Sequence, residues 1–478
     1  MEQRDNAYKD LSNNASLWIL ATVVILFIIL HLLMLSPSIS DENTYFYMGN
    51  LIANGFTPYK DFFYAHPPLN ILIIALLIKL FGLNLVVLKF VPIITTALSA
   101  IFIYLLLKTA NSRLSGIIAV ILFLFSYGTL RVSTYLTGID ISVLFLMIGL
   151  YFLFREKKRK RLYLVSGILL AIAALSALFS LVAAFIILVI LSLKNKRNAI
   201  YSLIGFLSIF LTVNLILILL YGQSYITSVI KYHFLKPETS SSFTTISTIV
   251  KDNWLIFLAA GLFIFAKERK KVSVLVIISL AYFLFLLTYK SLFSYYIFII
   301  LPLLAIIGSY SIFSIADRIN NIKLSRILFV AIFVLIGISS LLSSSRYLNY
   351  KFQNFNTANE IADYIIENTN SERTLFGDDS ITPLLALMSE RKIAFNYADL
   401  NNFRWRTGLV DIHQTIKEIK AEKPLIITFQ VNVPQGTFRY GIDYLDEFHY
   451  FLDEECTVIK EFKDTWLDYE KVVRLWDC

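Results

Sequence analysis

The sequence predicts a polytopic α-helical membrane protein carrying a C-terminal soluble α/β domain, and three observations lead there. Hydrophobic residues are 57% of the 478 and charged residues only 16%, too little polar surface for a soluble chain of this length. Apolar runs long enough to cross a bilayer recur, separated by short basic clusters. From residue 345 to 478 the composition turns polar, and helical patterns alternate with short apolar strands. The net charge of +9 would suit a nucleic-acid binder, but its Lys and Arg lie between apolar runs, as the positive-inside rule expects of cytoplasmic loops. The charge therefore reads as topology, and no nucleic-acid partner is expected.

Residues 1–16 are polar and lack a small-residue cleavage pattern, so the apolar run 17–35 reads as a retained membrane anchor. The run 69–80 is only about a dozen residues, which fits an interfacial or re-entrant helix better than a span. If it does not cross, the basic clusters at 108–113, 155–161, 194–197, 267–271 and 317–326 all share the side of the N-terminus. Eleven spans satisfy that charge bias, near 17–35, 85–107, 114–130, 139–154, 162–177, 178–193, 199–221, 254–266, 272–289, 295–315 and 327–344. The stretch 162–193 also reads as one long tilted helix. The N-terminus is then cytoplasmic, and the outer face of the cell membrane collects 36–84, 131–139, 221–253, 289–294 and 345–478. Two domains are expected: a transmembrane domain over 1–344, with 36–84 as its first outer loop, and an extracytoplasmic α/β domain over 345–478.

In the polar part, NTANEIADYIIENTN has helical spacing, RTLFG reads as a short strand, DDSITPLLALMSE and DIHQTIKEIKAEK as helices, and PLIITF as a buried strand. No Gly-rich phosphate loop occurs, and His413 and His449 lack partners at metal-ligand spacing, so this part reads as a lid or acceptor platform. Cys456 and Cys478 can pair only if it lies outside the reducing compartment.

The chemistry concentrates in residues 40–68. Asp41 and Glu42 are adjacent acids just past a membrane exit, followed by Asp61 and His66-Pro67-Pro68. Acids at a membrane boundary are costly unless paired or used. One of the two can face a reaction centre while the other orients a donor or binds a cation; as a structural pair, they would cap a helix starting near Thr44. Asp140, at the start of a span, reads as a helix cap, on the expected outer side with Asp41. Lys290 and Tyr295, in TYKSLFSYY, read as an interfacial lysine with an aromatic belt.

The Asp-Glu pair after the first span, the segment GFTPYKD, the HPPL return to the membrane and the Phe-Gly after it resemble the first outer loop of GT-C glycosyltransferases. The nearest relatives in that resemblance are the protein O-mannosyltransferases and the lipid A aminoarabinose transferases, over about the first 160 residues and more loosely to the last span. The resemblance implies a GT-C type fold and transfer of a sugar from a polyprenyl-phosphate donor to an acceptor hydroxyl or phosphate on a lipid, glycan or protein, with inversion. It implies Asp41, with Glu42, as the catalytic acid pair, Asp41 being the general base, and Asp140 as a second essential carboxylate. Lys290, Tyr295, Arg131 and His66 become the expected donor and phosphate contacts, and a divalent cation (Mg or Mn) held by Asp41 and Asp140 an alternative source of positive charge. A lipid-linked donor needs no nucleotide loop. The competing reading, a polyprenyl-lipid or glycan transporter or flippase, should place ionisable groups near the bilayer midplane, and the spans are nearly free of them apart from border residues such as His31 and Lys79. A non-catalytic receptor would leave the acid pair and HPPL unexplained.

Overall fold

The computed structural model describes residues 12–110, 113–155, 159–237, 242–266, 269–316, 318–319, 322–350, 354–434, 436–466 and 469–478. Parts of four basic clusters, at 111–112, 156–158, 267–268, 317 and 320–321, lie outside the described residues. The chain divides into two compact units. One comprises Met1–Met34, Lys89–Leu215 and Thr239–Asn349, the other Leu35–Leu88, Ile216–Glu238 and Tyr350–Cys478. The sequence-drawn domains are continuous, whereas these packing units are not: the first outer loop and residues 216–238 join the C-terminal segment.

The first unit is helical, as its apolar composition requires where water cannot satisfy the backbone. Each of the eleven expected segments is helical. By length and composition, however, among the described residues only Asn13–Leu32, Leu85–Lys108, Lys196–Leu235 and Lys323–Asn349 are sufficient to cross a membrane, with a fifth if Ser242–Asp252 and Trp254–Phe265, bent by 87°, count as one. Helix length alone therefore does not return eleven spans. Two of the helix boundaries have local causes. The expected span 114–130 stops at Leu124, where the Ser126 side chain caps the next short helix, Tyr127–Val132. The stretch 162–193 breaks into Lys160–Ser176 and Phe179–Lys194 because Ala177 is extended, so it is two helices and not one. The multi-pass membrane reading stands on these apolar helices.

Small residues set the closest helix contacts in this unit. A Cβ on Gly167 would lie 1.9 Å from the Ser202 carbonyl oxygen, and one on Gly205 would lie 2.2 Å from that of Leu164. Ser202 Oγ donates to the Tyr163 carbonyl at 2.9 Å beside them. Bare backbone at both positions lets the helices touch, the usual device where lipid offers no hydrophobic drive for association.

The second unit contains a five-stranded sheet. Its strands are β1 (Leu375–Gly377), β2 (Leu425–Val433), β3 (Gly436–Arg439), β4 (Thr457–Trp466) and β5 (Tyr469–Asp477). The order is β1-β2-β5-β4, with β3 also on β2; only β1 and β2 run parallel, and the crossover between them carries helices Thr382–Met388 and Ile412–Glu422. Leu425 to Phe429 are buried in succession, as expected of a strand covered on both faces. The expected helices and the RTLFG and PLIITF strands are present, and Asp411 caps Ile412–Glu422 by accepting from the His413 and Gln414 amides. Cys456 and Cys478 form a disulfide that joins the end of helix Asp446–Glu455 to the end of β5. From the first outer loop come helices Glu42–Ala53 and Leu69–Phe81; the latter is 13 residues long, in keeping with the short run expected there.

Substituting Val for Gly167 should therefore lower the Tm of the detergent-solubilised protein by several degrees, because overpacking such a contact costs about 1–3 kcal/mol. Gly337, whose added Cβ would meet nothing within 4 Å, is the control, with an expected change within about 0.5 kcal/mol.

Candidate active site

The adjacent acids of the first outer loop are separated by the helix they begin. Asp41 stands at the N-cap of Glu42–Ala53 yet makes no side-chain hydrogen bond to that helix, and its side chain is exposed. Glu42 is fully buried and accepts from Ser38 Oγ at 2.7 Å. Successive helical residues point about 100° apart, so one carboxylate turns into the fold while the other stays reachable. The cap expectation is thus not met at Asp41, although a carboxylate still suits the positive end of the helix.

The same helix turn docks on the end of β1. Asn43 Nδ2 donates to the Ser380 carbonyl at 2.5 Å, Thr44 Oγ1 donates to that of Asp379 at 2.8 Å, and the Ile393 amide donates to Tyr47 Oη at 2.8 Å. Gly377, at φ +148°, ends β1 with room for no side chain, since a Cβ would lie 1.8 Å from the Ile427 carbonyl oxygen. Asp378 follows, buried, its Oδ1 accepting from the Ser380 and Ile381 amides at 2.8 and 3.1 Å while Oδ2 is buried without a partner. Asp379 is half-buried.

A second loop brings Asp399, also half-buried, and Arg404, buried. Arg404 Nη1 donates to the Asp399 carbonyl at 2.8 Å, and its guanidinium lies 4.5 Å from the Phe63 ring centre and 5.2 Å from that of Tyr397. Lys236, just past the helix that ends at Leu235, supplies the remaining cation of this group.

Electrostatics confirms that these groups share one environment. Burial, and after it the Asp399 charge, pushes the Asp41 carboxyl above the ordinary carboxylate range, with Lys236 opposing. Water still reaches Asp41, and a carboxylate whose pKa is raised is a stronger base once ionised. Asp379 is pushed well up by burial and then by Asp378, Asp41 and Asp399. Burial also raises Asp399 and lowers Lys236, whose charge Asp399 and Asp41 in turn favour. His66 is held well below the usual imidazole value by burial, then by His233 and Lys236, so it is neutral at pH 7. It lies 3.3 Å from Tyr45 Oη and with its ring centre 5.4 Å from that of His233.

Of the sequence-predicted residues, Asp41, Glu42 and His66 belong to this unit, but only Asp41 and His66 lie among its charges. Asp140, Arg131, Lys290 and Tyr295 belong to the helical unit. Asp140 is buried in the first turn of Ile139–Phe154, where Gly138 and not Asp140 is the N-cap, and it accepts from Thr95 Oγ1 at 2.8 Å. Arg131 lies 5.8 Å from the Tyr127 ring centre. Lys290 is exposed in the turn after Ser273–Thr288, and Tyr295 stacks on Phe293 at 5.5 Å. Among the described residues, no three His, Cys, Asp or Glu side chains are grouped to hold one ion, and no step below is routed through a metal. Sequence reasoning missed Lys236, Asp379, Asp399 and Arg404. The Asp378-Asp379 pair and a lysine on the expected outer face were the available signals.

Asp378 yields a pH-dependent test of this packing. Burial first, and then the Asp443 and Asp41 charges, raises its carboxyl. Such a group favours folding while protonated, and that contribution is lost as pH rises through the folded-state pKa. Asp378→Asn, a neutral isostere able to keep the two amide bonds, should therefore raise Tm at pH 9, by about 1–3 kcal/mol in stability, with the gain shrinking steadily as pH falls below about 7 towards the unfolded-state value.

Residues 65–221 match the family described as dolichyl-phosphate-mannose-protein mannosyltransferase. No curated protein matches the whole sequence significantly. Among solved structures, the chain is similar to ArnT from Cupriavidus metallidurans in the apo state, at TM-score 0.72 and 12% identity over 97% of this chain and 98% of that one. ArnT bound to undecaprenyl phosphate matches at TM-score 0.67 and 13% identity, with the same 97% and 98% coverage. The archaeal oligosaccharyltransferase AglB from Archaeoglobus fulgidus, in complex with an inhibitory peptide and a dolichol-phosphate, matches at TM-score 0.59 and 12% identity over 89% of this chain and 74% of that one. The chain thus has the fold of the GT-C glycosyltransferases, and over residues 65–221 it is similar to the protein mannosyltransferase family.

Proposed function

We propose that this chain is an inverting membrane glycosyltransferase that moves a sugar from a polyprenyl-phosphate donor to an acceptor hydroxyl on the outer side of the membrane. The observation that carries the reading is Asp41: an uncapped, water-reachable carboxylate with strengthened basicity, in an environment shared with Lys236. In the proposed step the acceptor oxygen attacks the anomeric carbon as Asp41 takes its proton, and the sugar–phosphate bond breaks with its electron pair leaving on the lipid phosphate. Lys236 meets that developing charge. One displacement inverts the anomeric centre. His66, being neutral, serves through a hydrogen bond and not through charge. Lys290, Tyr295 and Arg131 are proposed as further donor contacts, and Asp140 as a second carboxylate of the reaction.

The fold shared with ArnT and AglB, described with undecaprenyl phosphate and dolichol-phosphate respectively, supports a lipid-linked donor. The Cys456–Cys478 disulfide supports placing the C-terminal segment on an oxidising side, outside the cytoplasm. A lipid, a glycan or a protein hydroxyl can each serve as acceptor.

The test is transfer by the purified protein in proteoliposomes from a polyprenyl-phosphate sugar, with a nucleotide sugar as the inert comparison; transfer from the nucleotide sugar alone would overturn the reading. Asp41→Asn should cut turnover by roughly 10²–10⁴-fold while donor binding survives. Near-normal turnover in that variant would remove Asp41 as the base.

The rate should rise with pH as Asp41 ionises. Asp399→Asn removes a charge that raises the Asp41 pKa, so the acidic limb of the pH–rate profile should move to lower pH, and Lys236→Gln should move it to higher pH.

A further inference from the structure

We propose that Phe403, paired with Tyr232, is a positioning residue that holds the Lys236 ammonium where a donor phosphate can meet it; the inference rests on the function proposed above. Lys236 Nζ lies 4.7 Å from the Tyr232 ring centre and 5.7 Å from that of Phe403, within the range in which a ring face attracts a cation. A single oxygen ties the two rings together. Asn401 Oδ1 accepts from Tyr232 Oη at 3.3 Å and from the Phe403 amide at 2.9 Å, so the ring from residues 216–238 and the ring from the C-terminal segment are set by the same acceptor. Tyr232 is buried and meets Phe63 edge-on at 5.2 Å, and Phe63 in turn lies under the Arg404 guanidinium, one residue beyond Phe403. Both rings thus belong to a packed array.

The choice of aromatic partners has a chemical consequence. A lysine ammonium sits on a flexible four-carbon stem and loses much rotamer freedom when fixed. A carboxylate in ion-pair contact would fix it but would also neutralise it, whereas a ring face attracts the cation and leaves its N–H groups and formal charge available to an anion.

The experiment is binding of polyprenyl phosphate to the full-length protein in nanodiscs, with wild type, Phe403→Leu, Phe403→Met, Phe403→Tyr and Phe403→Trp compared and Tm measured for each. Leu and Met keep an apolar side chain without the ring, and whichever retains wild-type Tm is read. The ringless variants should bind about fivefold to tenfold more weakly and lower kcat as well as raise donor KM, since Lys236 also meets the charge that develops on the leaving phosphate, while Tyr and Trp restore both. Wild-type affinity in a folded ringless variant, or equal losses in the Tyr and Trp variants, overturns the role of Phe403 and leaves the proposed function standing. A wild-type protein that binds no polyprenyl phosphate overturns both.

Discussion

Everything in the candidate site depends on one helical turn finding backbone partners. The carbonyls of Asp379 and Ser380, at the end of β1, would be costly if buried unpaired, and Thr44 and Asn43 satisfy them. Each such bond contributes about 0.5–1.5 kcal/mol net, but leaving its acceptor dry costs more. Because the acceptors are main-chain atoms, the docking is indifferent to the side chains at 379 and 380 and demanding at 43 and 44. The acids on both sides are therefore free to serve chemistry. Asn43 also donates to the Ser38 carbonyl at 2.7 Å, which fixes the approach to the turn and with it the direction of Asp41.

The site is electrostatically expensive. Asp41, Asp379 and Asp399 are all held above their ordinary range chiefly by burial, Asp41 and Asp379 also by like charge, and the cations Lys236 and Arg404 are themselves pushed down by burial. No group in this set is comfortable alone. Such arrangements persist at functional sites because the surrounding packing over-determines them. Here that packing is the buried β2 strand, the Asp378 turn and the Arg404 array.

The sequence displayed the helices plainly, since periodic apolar runs are a strong local signal. It also displayed Asp41 and the HPP motif, because both are compressed into fewer than thirty residues around a membrane exit. What it hid is long-range. Lys236, Asp379 and Asp399 are nearly 200 or more positions from Asp41, and only the tertiary pairing of three chain segments makes them neighbours. Lys236 was visible only as one of several basic residues, with Lys231, Lys251, Arg131 and Lys290, on the face that the charge bias assigns to the outside. The C-terminal strands beyond PLIITF were less legible: in KEFKDTW and YEKVVRLW charged residues interrupt the apolar ones, and β4 and β5 are stabilised by each other more than by local preference. Helix boundaries were less legible for a different reason: the stop at Leu124 before the Ser126 cap is a local event that hydropathy averages away.

The discontinuity of the second unit also bears on how the protein is made. Its pieces leave the ribosome as residues 35–88, then 216–238, and only at the end 350–478. The helix carrying Asn43 and Thr44 must wait through most of synthesis before β1 exists to receive it, and the strand β5 that borders β2 is the last to emerge. Contacts of such sequence separation are slow to form and leave unpaired edges exposed meanwhile. The arrangement also acts as a completeness check: a chain that stops early retains its apolar helices and Asp41 but lacks Asp379, Asp399 and Arg404, so an incomplete translation product can enter the membrane without carrying an assembled site.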